Sequence, residues 1–295
     1  MAGRGGRESA TLEGSTLGGG GGAGLAQRMR MQWWRDVLAE VHDDGSRNDG
    51  IGGGVDGGYV SSALAGMRSQ NPVVRELKRA AEEHDLTPRF LERLLEARED
   101  DLGSAQPESV RDLIRYGEAT HSGLIYLALE CAGVRDEIAD EAASNVGIGL
   151  TLVTALRSTV YRASALGEIS IPGELMERHG VPSRYLVNLP KRDIGKDLTA
   201  DEEGYDRALR GAVRDMAYLA SSHLSQARRL QMKVPKDGRL ALLPAVGALT
   251  YLRKLEQVEF DVLHTDLLAK EGFSAQKDKL YTLLFLGRAW LTGVF

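Results

Sequence analysis

The sequence predicts an all-α protein, and two observations lead to this prediction. Apolar residues recur with helical spacing along most of the 295 residues, whereas no alternating strand pattern persists beyond about four residues. The pairs Asn71-Pro72 and Thr87-Pro88 each combine a capping side chain with a proline, which suits the first turn of a helix.

The predicted helices follow one another in order along the chain. The first is amphipathic and consists largely of residues with high helix propensity. The two cap–proline pairs begin the second and third helices. The predicted segments are 25–41, 72–84, 88–101, 107–132, 136–166, 202–231, 240–270 and 277–292, with short pieces at 172–179 and 182–186.

Two glycine-rich stretches stand apart from this pattern. Residues 1–25 include an unbroken run from Gly18 to Gly22 and are predicted to be a disordered leader. Residues 48–58 are predicted to be a flexible insert, since no strand or βαβ pattern surrounds them as a dinucleotide-binding loop would require. The rest of the chain, 26–295, is predicted to form a single helical domain.

Composition excludes several classes of function. The net charge of −5 and an isoelectric point near 5.8 argue against nucleic acid as the main partner. The single cysteine, Cys131, excludes a disulfide framework, and its apolar neighbours predict a buried structural thiol. No stretch reaches the roughly 18 uninterrupted apolar residues that a membrane-spanning helix requires.

A pattern in the middle of the chain carries the most information about function. Gly147 is followed ten residues later by Arg157, then by Ser158 and Arg162 four residues apart, and an apolar segment ends at Pro172. This order resembles the second aspartate motif of squalene and phytoene synthases: a glycine, an arginine ten residues later, Asp-x-x-x-Asp, and an apolar-proline stop. By this resemblance, Ser158 and Arg162 occupy the positions of the two aspartates.

The substitution removes the chemistry that the resemblance implies. Two carboxylates one helical turn apart can hold Mg²⁺, which bridges them to a diphosphate leaving group. A serine hydroxyl is neutral, and an arginine places a cation where a cation should bind. The resemblance therefore implies no catalytic residue, no metal site and no cofactor, and three positions remain as markers of the fold: Gly147, Leu156 and Pro172. Thr151 and Thr154 stand where the family pattern has Gln and Asn.

Further segments look like one branch of this family, the mitochondrial assembly factor of respiratory complex I. Their order and spacing carry the likeness more than any single segment does. They are 30–36, 84–89, 116–127, 142–149, 156–159, 179–181 and 258–264, and together they extend over roughly 26–268.

The resemblance implies an isoprenoid (terpenoid) synthase-type helical bundle that lacks the first helix of the fold, where the other acidic motif would lie. It implies a non-enzymatic assembly factor on the matrix side of the inner mitochondrial membrane, with a complex I subunit or assembly intermediate as its partner. The transit-peptide signal is weak, because Arg4 and Arg7 are accompanied by Glu8 and Glu13. The alternatives are an active Mg²⁺-dependent prenyltransferase that condenses two prenyl diphosphates and a pseudoenzyme that binds a lipid or isoprenoid.

Three side chains are candidates for a vestigial anion or lipid pocket: Arg157, Tyr161 and Arg162. A guanidinium can bind phosphate directly through its planar fork, without a metal ion. The alternative for Arg162 is a pair with a nearby carboxylate, which would fill the old cavity.

The remaining polar clusters have simpler interpretations. Asp136 and Asp140 are expected to begin a helix, where carboxylates interact favourably with the helix dipole. The acidic residues of 96–101 are expected to form the exposed end of a helix, and Asp193 and Asp197 to flank a loop. The six histidines lack zinc-binding spacing, and His121 and His223 are expected to be satisfied core or boundary residues, the full set being His42, His84, His121, His179, His223 and His264.

The carboxyl-terminal segment, 280–295, is the most apolar part of the chain, but it is too short to span a membrane and contains Arg288. Packing of this last helix on the core is the first expectation. A peripheral membrane contact is the alternative, in which Trp290 and its apolar neighbours enter the interface of a bilayer.

Overall fold

Helices make up the fold throughout the residues that the structure describes, which are 20–42, 66, 68, 70–102, 106–188, 199–268 and 273–293 of this computed structural model. No strand occurs among them, so the all-α prediction is confirmed. The predicted insert at 48–58 and the first 19 residues of the predicted leader lie outside this range, while α1 already begins within the predicted leader, at Gly20.

The helices occur in the following order. The first half of the chain forms α1 (Gly20–His42), α2 (Pro72–His84), α3 (Pro88–Asp101), α4 (Val110–Gly117), the π-helical segment π1 (Glu118–Ser122), α5 (Gly123–Cys131), α6 (Glu137–Tyr161) and the π-helical segment π2 (Arg162–Leu166). The second half forms α7 (Gly173–His179), α8 (Ser183–Asn188), α9 (Ala200–Leu230), a 3₁₀ segment (Lys236–Leu242), α10 (Pro244–Gln257), α11 (Thr265–Leu268) and α12 (Phe273–Thr292).

Helix α6 lies at the centre of the main core. It packs most extensively against α9 and also contacts α4, π1, α5 and α10. Its buried side chains, which include Val146, Leu152 and Leu156, therefore lie on more than one side of the helix. A helix buried in this way depends on close packing rather than on a single amphipathic face.

Glycines allow the neighbours of α6 to approach its backbone. A Cβ atom on Gly147 would lie 2.3 Å from the backbone nitrogen of Ser122, and one on Gly149 would lie 2.7 Å from Cγ of Leu224. These two glycines are about 200° apart around the helix, and they bring π1 and α9 against opposite sides of the same turn of α6. The predicted fold marker Gly147 thus has a packing role, and the other two markers, Leu156 and Pro172, are buried as well.

A second, smaller apolar cluster joins α1 to α2. Val37, Val41 and Val74 are buried there, and Trp33 and Trp34 pack against them. The two tryptophan rings meet edge to face, with their centroids 4.9 Å apart. The predicted start of α2 is confirmed, since Oδ1 of Asn71 accepts a hydrogen bond from the backbone of Val73 at 2.9 Å. The start of α3 at Pro88 is also as predicted. However, the Thr87 side chain does not cap the helix and donates to Glu130 instead.

The predicted continuous helix over 240–270 is wrong. Helix α10 ends at Gln257, and Glu259 and Phe260 then adopt positive φ values of 54° and 61°. Tertiary contacts outweigh helix propensity at this point. The Phe260 ring packs edge to face on Tyr218 at 5.5 Å, and Asp261 accepts from Arg210 at 3.0 Å.

The prediction that Cys131 is buried is also wrong, because its thiol lies on the exposed side of α5. Leu124 and Ala128 are exposed on the same side, at i, i+4 and i+7 spacing, whereas Leu127 and Leu129 face the core. An apolar run in a helix does not imply that every member is buried, since one face still meets water.

The Gly147–Ser122 contact leads to a stability prediction. In Gly147→Ala the new methyl group would overlap backbone atoms, which cannot rotate away as a flexible side chain can. We expect the free energy of unfolding to fall by about 2 kcal/mol or more, measured by urea denaturation with far-UV circular dichroism.

Gly204→Ala is the matched control, because no atom lies within 4 Å of a Cβ atom at that position in α9. There the substitution should leave stability unchanged or raise it by about 0.5–1 kcal/mol. Equal stability of the two variants would contradict the packing role of Gly147.

Candidate functional site

A cavity of about 680 Å³ lies between α3, α4 with π1, and the second half of α6. Both π-helical segments contribute to its wall, through His121 of π1 and Arg162 of π2. π-Helical turns within α-helices occur frequently at functional sites. The wall carries charges of both signs, from Arg93, Arg98, Arg115 and Arg162 and from Glu96, Asp100, Asp101, Glu108 and Asp112.

The acidic end of α3 forms part of this wall. Glu96 and Asp100 are exposed at the cavity, as predicted for a charged helix end, but the prediction did not place them in a site. Their i, i+4 spacing, which puts both carboxylates on one face, was the signal that could have indicated it. Glu96 is already partnered, since it accepts from Arg89 at 3.1 Å.

Polar side chains of α3, α4, π1 and α6 also contact one another in the cavity wall. The guanidinium of Arg98 lies 5.5 Å from the ring centroid of Tyr116. Nδ1 of His121 lies 2.8 Å from Oγ1 of Thr151, which itself donates to the carbonyl of Gly147 at 3.0 Å. The prediction that His121 is a satisfied boundary residue is confirmed. Burial lowers the pKa of His121, and the nearby positive charge of Arg98 lowers it further.

The two positions that the resemblance equates with aspartates both contact the chain segment that follows π2. Oγ of Ser158 lies 3.2 Å from Oγ of Ser170, and Nη2 of Arg162 lies 2.7 Å from Oε2 of Glu168. Arg162 therefore pairs with a nearby carboxylate, the alternative that the sequence left open. Its Nε atom is buried and has no hydrogen-bond partner in the described part of the chain.

The other two residues of the predicted anion pocket lie elsewhere. The guanidinium of Arg157 stacks over the ring of Tyr251, 5.8 Å from its centroid, and Tyr161 is 65% exposed. Neither lines the cavity that Arg162 borders. The grouping of these three residues in one pocket is therefore wrong, because positions 157 and 161 share one face of the helix and positions 158 and 162 share another. Burial raises the pKa of Tyr251 to about 12, against the opposing effect of Arg157.

The remaining predicted positions are found in structural roles. Oδ1 of Asp136 caps α6 by accepting from the backbone of Ala139 at 2.9 Å, as predicted for a helix start. His223 is satisfied by Oδ1 of Asn145 at 2.9 Å, also as predicted. The predicted loop between Asp193 and Asp197 lies outside the described residues.

The cavity residues do not fit a magnesium–diphosphate cluster. Among the described residues, no group of three or more His, Cys, Asp or Glu side chains is arranged to hold a metal ion. The side chains of the α6–π2 wall are uncharged except for the guanidinium of Arg162. Since Mg²⁺ requires oxygen ligands and favours carboxylates, a hydroxyl and a cation at these positions cannot replace an aspartate pair.

A family model described as squalene/phytoene synthase matches residues 11–272. The chain belongs to the squalene/phytoene synthase family. The match begins inside the predicted leader and includes both the cavity wall and the segment that Ser158 and Arg162 contact.

Curated relatives of this squalene/phytoene synthase family member carry the name NADH dehydrogenase (ubiquinone) complex I, assembly factor 6. The rat protein is 31% identical over 262 residues, which is 89% of this chain and 66% of the relative. The human protein is 28% identical with the same coverage, and the Drosophila melanogaster homolog is 32% identical over 83% of this chain and 64% of its own. The chain thus spans just under two thirds of these relatives' length.

Solved structures show the same fold at low sequence identity. Squalene synthase HpnC from Alicyclobacillus acidocaldarius aligns with a TM-score of 0.55 at 18% identity, over 79% of this chain and 84% of its own. A dehydrosqualene synthase in complex with ligand aligns with a TM-score of 0.57 at 16% identity, over 88% of this chain and 86% of its own. The predicted isoprenoid synthase-type helical bundle is therefore confirmed.

The histidine environments predict how stability depends on pH. Burial lowers the pKa of both His121 and His223 in the folded chain below the ordinary value of 6.5. As the pH falls below about 6.5, the unfolded chain takes up protons that the folded chain does not, so the free energy of unfolding decreases by up to about 1.4 kcal/mol for each unit of pKa difference.

Urea denaturation near neutral pH and about two units lower should show this decrease. The decrease should be smaller in the His121→Gln/His223→Gln variant than in His264→Gln, which alters a histidine whose side chain is 41% exposed. Histidine pKa values measured by NMR provide an independent check, and a value of 6.5 or higher for either of these half-buried rings would contradict the prediction.

Proposed function

We propose that this chain is a non-enzymatic assembly factor for respiratory complex I, NADH:ubiquinone oxidoreductase. It acts by binding a complex I subunit or an assembly intermediate at the matrix face of the inner mitochondrial membrane, and it requires no cofactor. The observation that carries the proposal is the pair of contacts Ser158–Ser170 and Arg162–Glu168, made at the two positions that the resemblance equates with the metal-binding aspartates of prenyl synthases. The names of the curated relatives supply the partner.

For the exclusion of a metal ion, the positive charge of Arg162 matters more than the strength of its ion pair with Glu168. Both side chains of the pair are about one-third exposed, so solvent screening limits its contribution to about 1 kcal/mol or less. A divalent cation about 4 Å from a guanidinium would instead be repelled by roughly 8 kcal/mol at an effective dielectric constant of about 20. Metal binding beside Arg162 is therefore disfavoured even if Glu168 moves away.

Complex I abundance in cells tests the proposal. Cells that lack this gene should contain less assembled complex I, measured by blue native electrophoresis and by NADH:ubiquinone oxidoreductase activity. The wild-type gene should restore it. A variant that neutralises the three cavity carboxylates at the end of α3 should restore it equally well, because binding of a protein partner does not require them: Glu96→Gln/Asp100→Asn/Asp101→Asn.

Two outcomes would favour a prenyltransferase instead. One is a failure of the neutralised variant to restore complex I although it accumulates and folds normally. The other is formation of a condensed product when the purified protein is incubated with Mg²⁺ and farnesyl or geranylgeranyl diphosphate. Unchanged complex I in cells that lack the gene would contradict the assembly function itself.

A second candidate function is supported by the cavity. A volume of about 680 Å³ lies within the range of small-molecule sites, and the buried Nε of Arg162 is a hydrogen-bond donor without a partner in the described part of the chain. An unsatisfied buried donor costs about 1–3 kcal/mol, so a ligand that accepts this hydrogen bond would recover part of the cost. The chain would then bind a lipid or isoprenoid without turning it over.

Thermal unfolding with and without farnesyl diphosphate, in the presence of EDTA, tests this second function. Ligand at about one hundred times its dissociation constant should stabilise the protein by about 2.7 kcal/mol, which corresponds to several degrees in Tm. Arg162→Gln should abolish the shift, whereas Arg178→Gln, which removes a paired arginine on α7, should retain it. An equal shift in both variants, or none in the wild type, would contradict binding through Arg162.

A further inference from the structure

Three arginines from different helices surround a small pocket at another part of the bundle. Arg228 lies in the last turn of α9, Arg253 on α10 and Arg288 on α12, and the pocket of about 120 Å³ between them is also lined by Phe285. The guanidinium of Arg253 lies over the Phe285 ring, 5.3 Å from its centroid. None of the three forms an ion pair with a carboxylate among the described residues, in contrast to Arg162.

The surroundings of this arginine pocket are strongly basic. Residues 225–257 and 282–293 together contain eight Lys or Arg and two Asp or Glu, in a chain with a net charge of −5. Positive charge is therefore concentrated in this region, although the chain as a whole has a net negative charge. A concentration of this kind attracts anions at a distance and marks one surface as complementary to a negatively charged partner.

An apolar surface lies beside the arginines, on α12. Leu283, Leu284, Trp290 and Leu291 are 61–77% exposed, whereas Ala289 is 2% exposed and faces the bundle. Their spacing places the exposed side chains on one side of the helix. The last helix packs on the bundle through Ala289 and against α10, as expected, while Trp290 and the three leucines lie on its exposed side. The alternative of a peripheral membrane contact stays a prediction.

The chain between α9 and α10 extends this surface. Arg239 donates to the carbonyl of Met232 at 2.9 Å, and its Cδ atom lies 3.1 Å from where a Cβ on Gly293 would be, so this connection meets the end of α12. Met232 is 60% exposed and Leu240 is 48% exposed. Exposed apolar side chains therefore come from two parts of the chain, α12 and the connection between α9 and α10, and both parts also carry basic residues.

We propose that this end of the bundle is a binding site for an anionic phospholipid bilayer. The arginine pocket of Arg228, Arg253 and Arg288 binds a lipid phosphate, and the exposed face of α12 enters the interfacial region with Trp290 at headgroup depth. Exposed leucines and tryptophan flanked by basic residues are typical of helices that lie in a membrane surface. No described helix is long and apolar enough to cross a membrane.

The bilayer fits the observations better than a protein partner does. The three arginines, which have no carboxylate partner among the described residues, can bind lipid phosphates, while Trp290 and the leucines of α12 contact the acyl chains. Each basic side chain near an anionic surface strengthens binding roughly fivefold. This site goes beyond the proposed assembly function and does not depend on it. Vesicle binding by the purified protein can succeed or fail whatever the complex I measurements in cells show.

Vesicle flotation of the full-length protein tests the arginine pocket. The wild type should bind vesicles of phosphatidylcholine mixed with an equal part of phosphatidylglycerol and should bind phosphatidylcholine vesicles much more weakly. The variant Arg228→Gln/Arg253→Gln/Arg288→Gln removes the three positive charges of the pocket. It should bind the anionic vesicles roughly 100-fold more weakly than the wild type. The matched control is Arg75→Gln/Arg184→Gln/Arg207→Gln, which removes three positive charges from exposed arginines on α2, α8 and α9. Its affinity for the anionic vesicles should be close to that of the wild type.

Fluorescence quenching tests the apolar face independently of charge. Lipids brominated on their acyl chains should quench the wild-type tryptophan emission when the anionic vesicles are added. The quenched part should be lost in Trp290→Phe, because Trp33 and Trp34 pack in the α1–α2 cluster. As Trp290 is 63% exposed, this substitution should leave the unfolding transition unchanged.

Several results would overturn the proposal. They are the absence of binding to either vesicle, equal binding by the pocket variant and its matched control, and quenching that persists in Trp290→Phe. Inorganic phosphate at constant ionic strength distinguishes a free anion from a bilayer. Stabilisation of the protein by phosphate, together with its displacement from the vesicles, would identify a soluble phosphate compound as the ligand instead.

Discussion

The contact between the backbones of Gly147 and Ser122 determines where the wall of the cavity lies. With no side chain on Gly147, α6 approaches π1 until a Cβ atom would overlap the Ser122 nitrogen at 2.3 Å. One turn later Thr151 reaches His121. Ser158 follows two turns after Thr151 and Arg162 three turns after it, both on the same side of the helix. Because the rise and the rotation per residue of a helix are fixed, a contact that positions one turn also positions every later turn.

This rigidity explains why the sequence predicted part of the site and not the rest. The i, i+4 spacing of Ser158 and Arg162 fixes their common direction, so their shared position beside the cavity followed from the pattern. Residue 157 is rotated by about 100° from residue 158, and Arg157 therefore stacks on Tyr251 of α10 instead. Glu168, which partners Arg162, follows a π-helical turn whose extra residue changes the register, and such a turn has no clear sequence signal.

The errors along the rest of the chain share a physical cause. Helix positions came from local patterns, and caps such as Asn71 and Asp136 placed several boundaries correctly. At Phe260 the contact with Tyr218 outweighs local propensity, and the chain turns although it contains neither glycine nor proline there. Cys131 and Trp290 lie in apolar segments whose exposed side could not be identified from composition, because amphipathicity gives the spacing of a face but not its partner.

The two arginine environments differ in what they can attract. Arg162 already faces Glu168, and the carboxylates of Glu96 and Asp100 border the same cavity, so a multiply charged diphosphate would meet repulsion as well as attraction there. The pocket of Arg228, Arg253 and Arg288 has no such carboxylate in its described lining. We therefore expect phosphate alone to bind more favourably at the end of the bundle than in the cavity beside Arg162. In that cavity an isoprenoid chain would supply most of the binding, and its headgroup would supply the acceptor for the buried Nε of Arg162. Under the two proposals, phosphate would be attracted to a surface of the bundle rather than to the cavity beside Ser158 and Arg162, as suits a protein that acts by binding a partner and a membrane instead of by prenyl transfer.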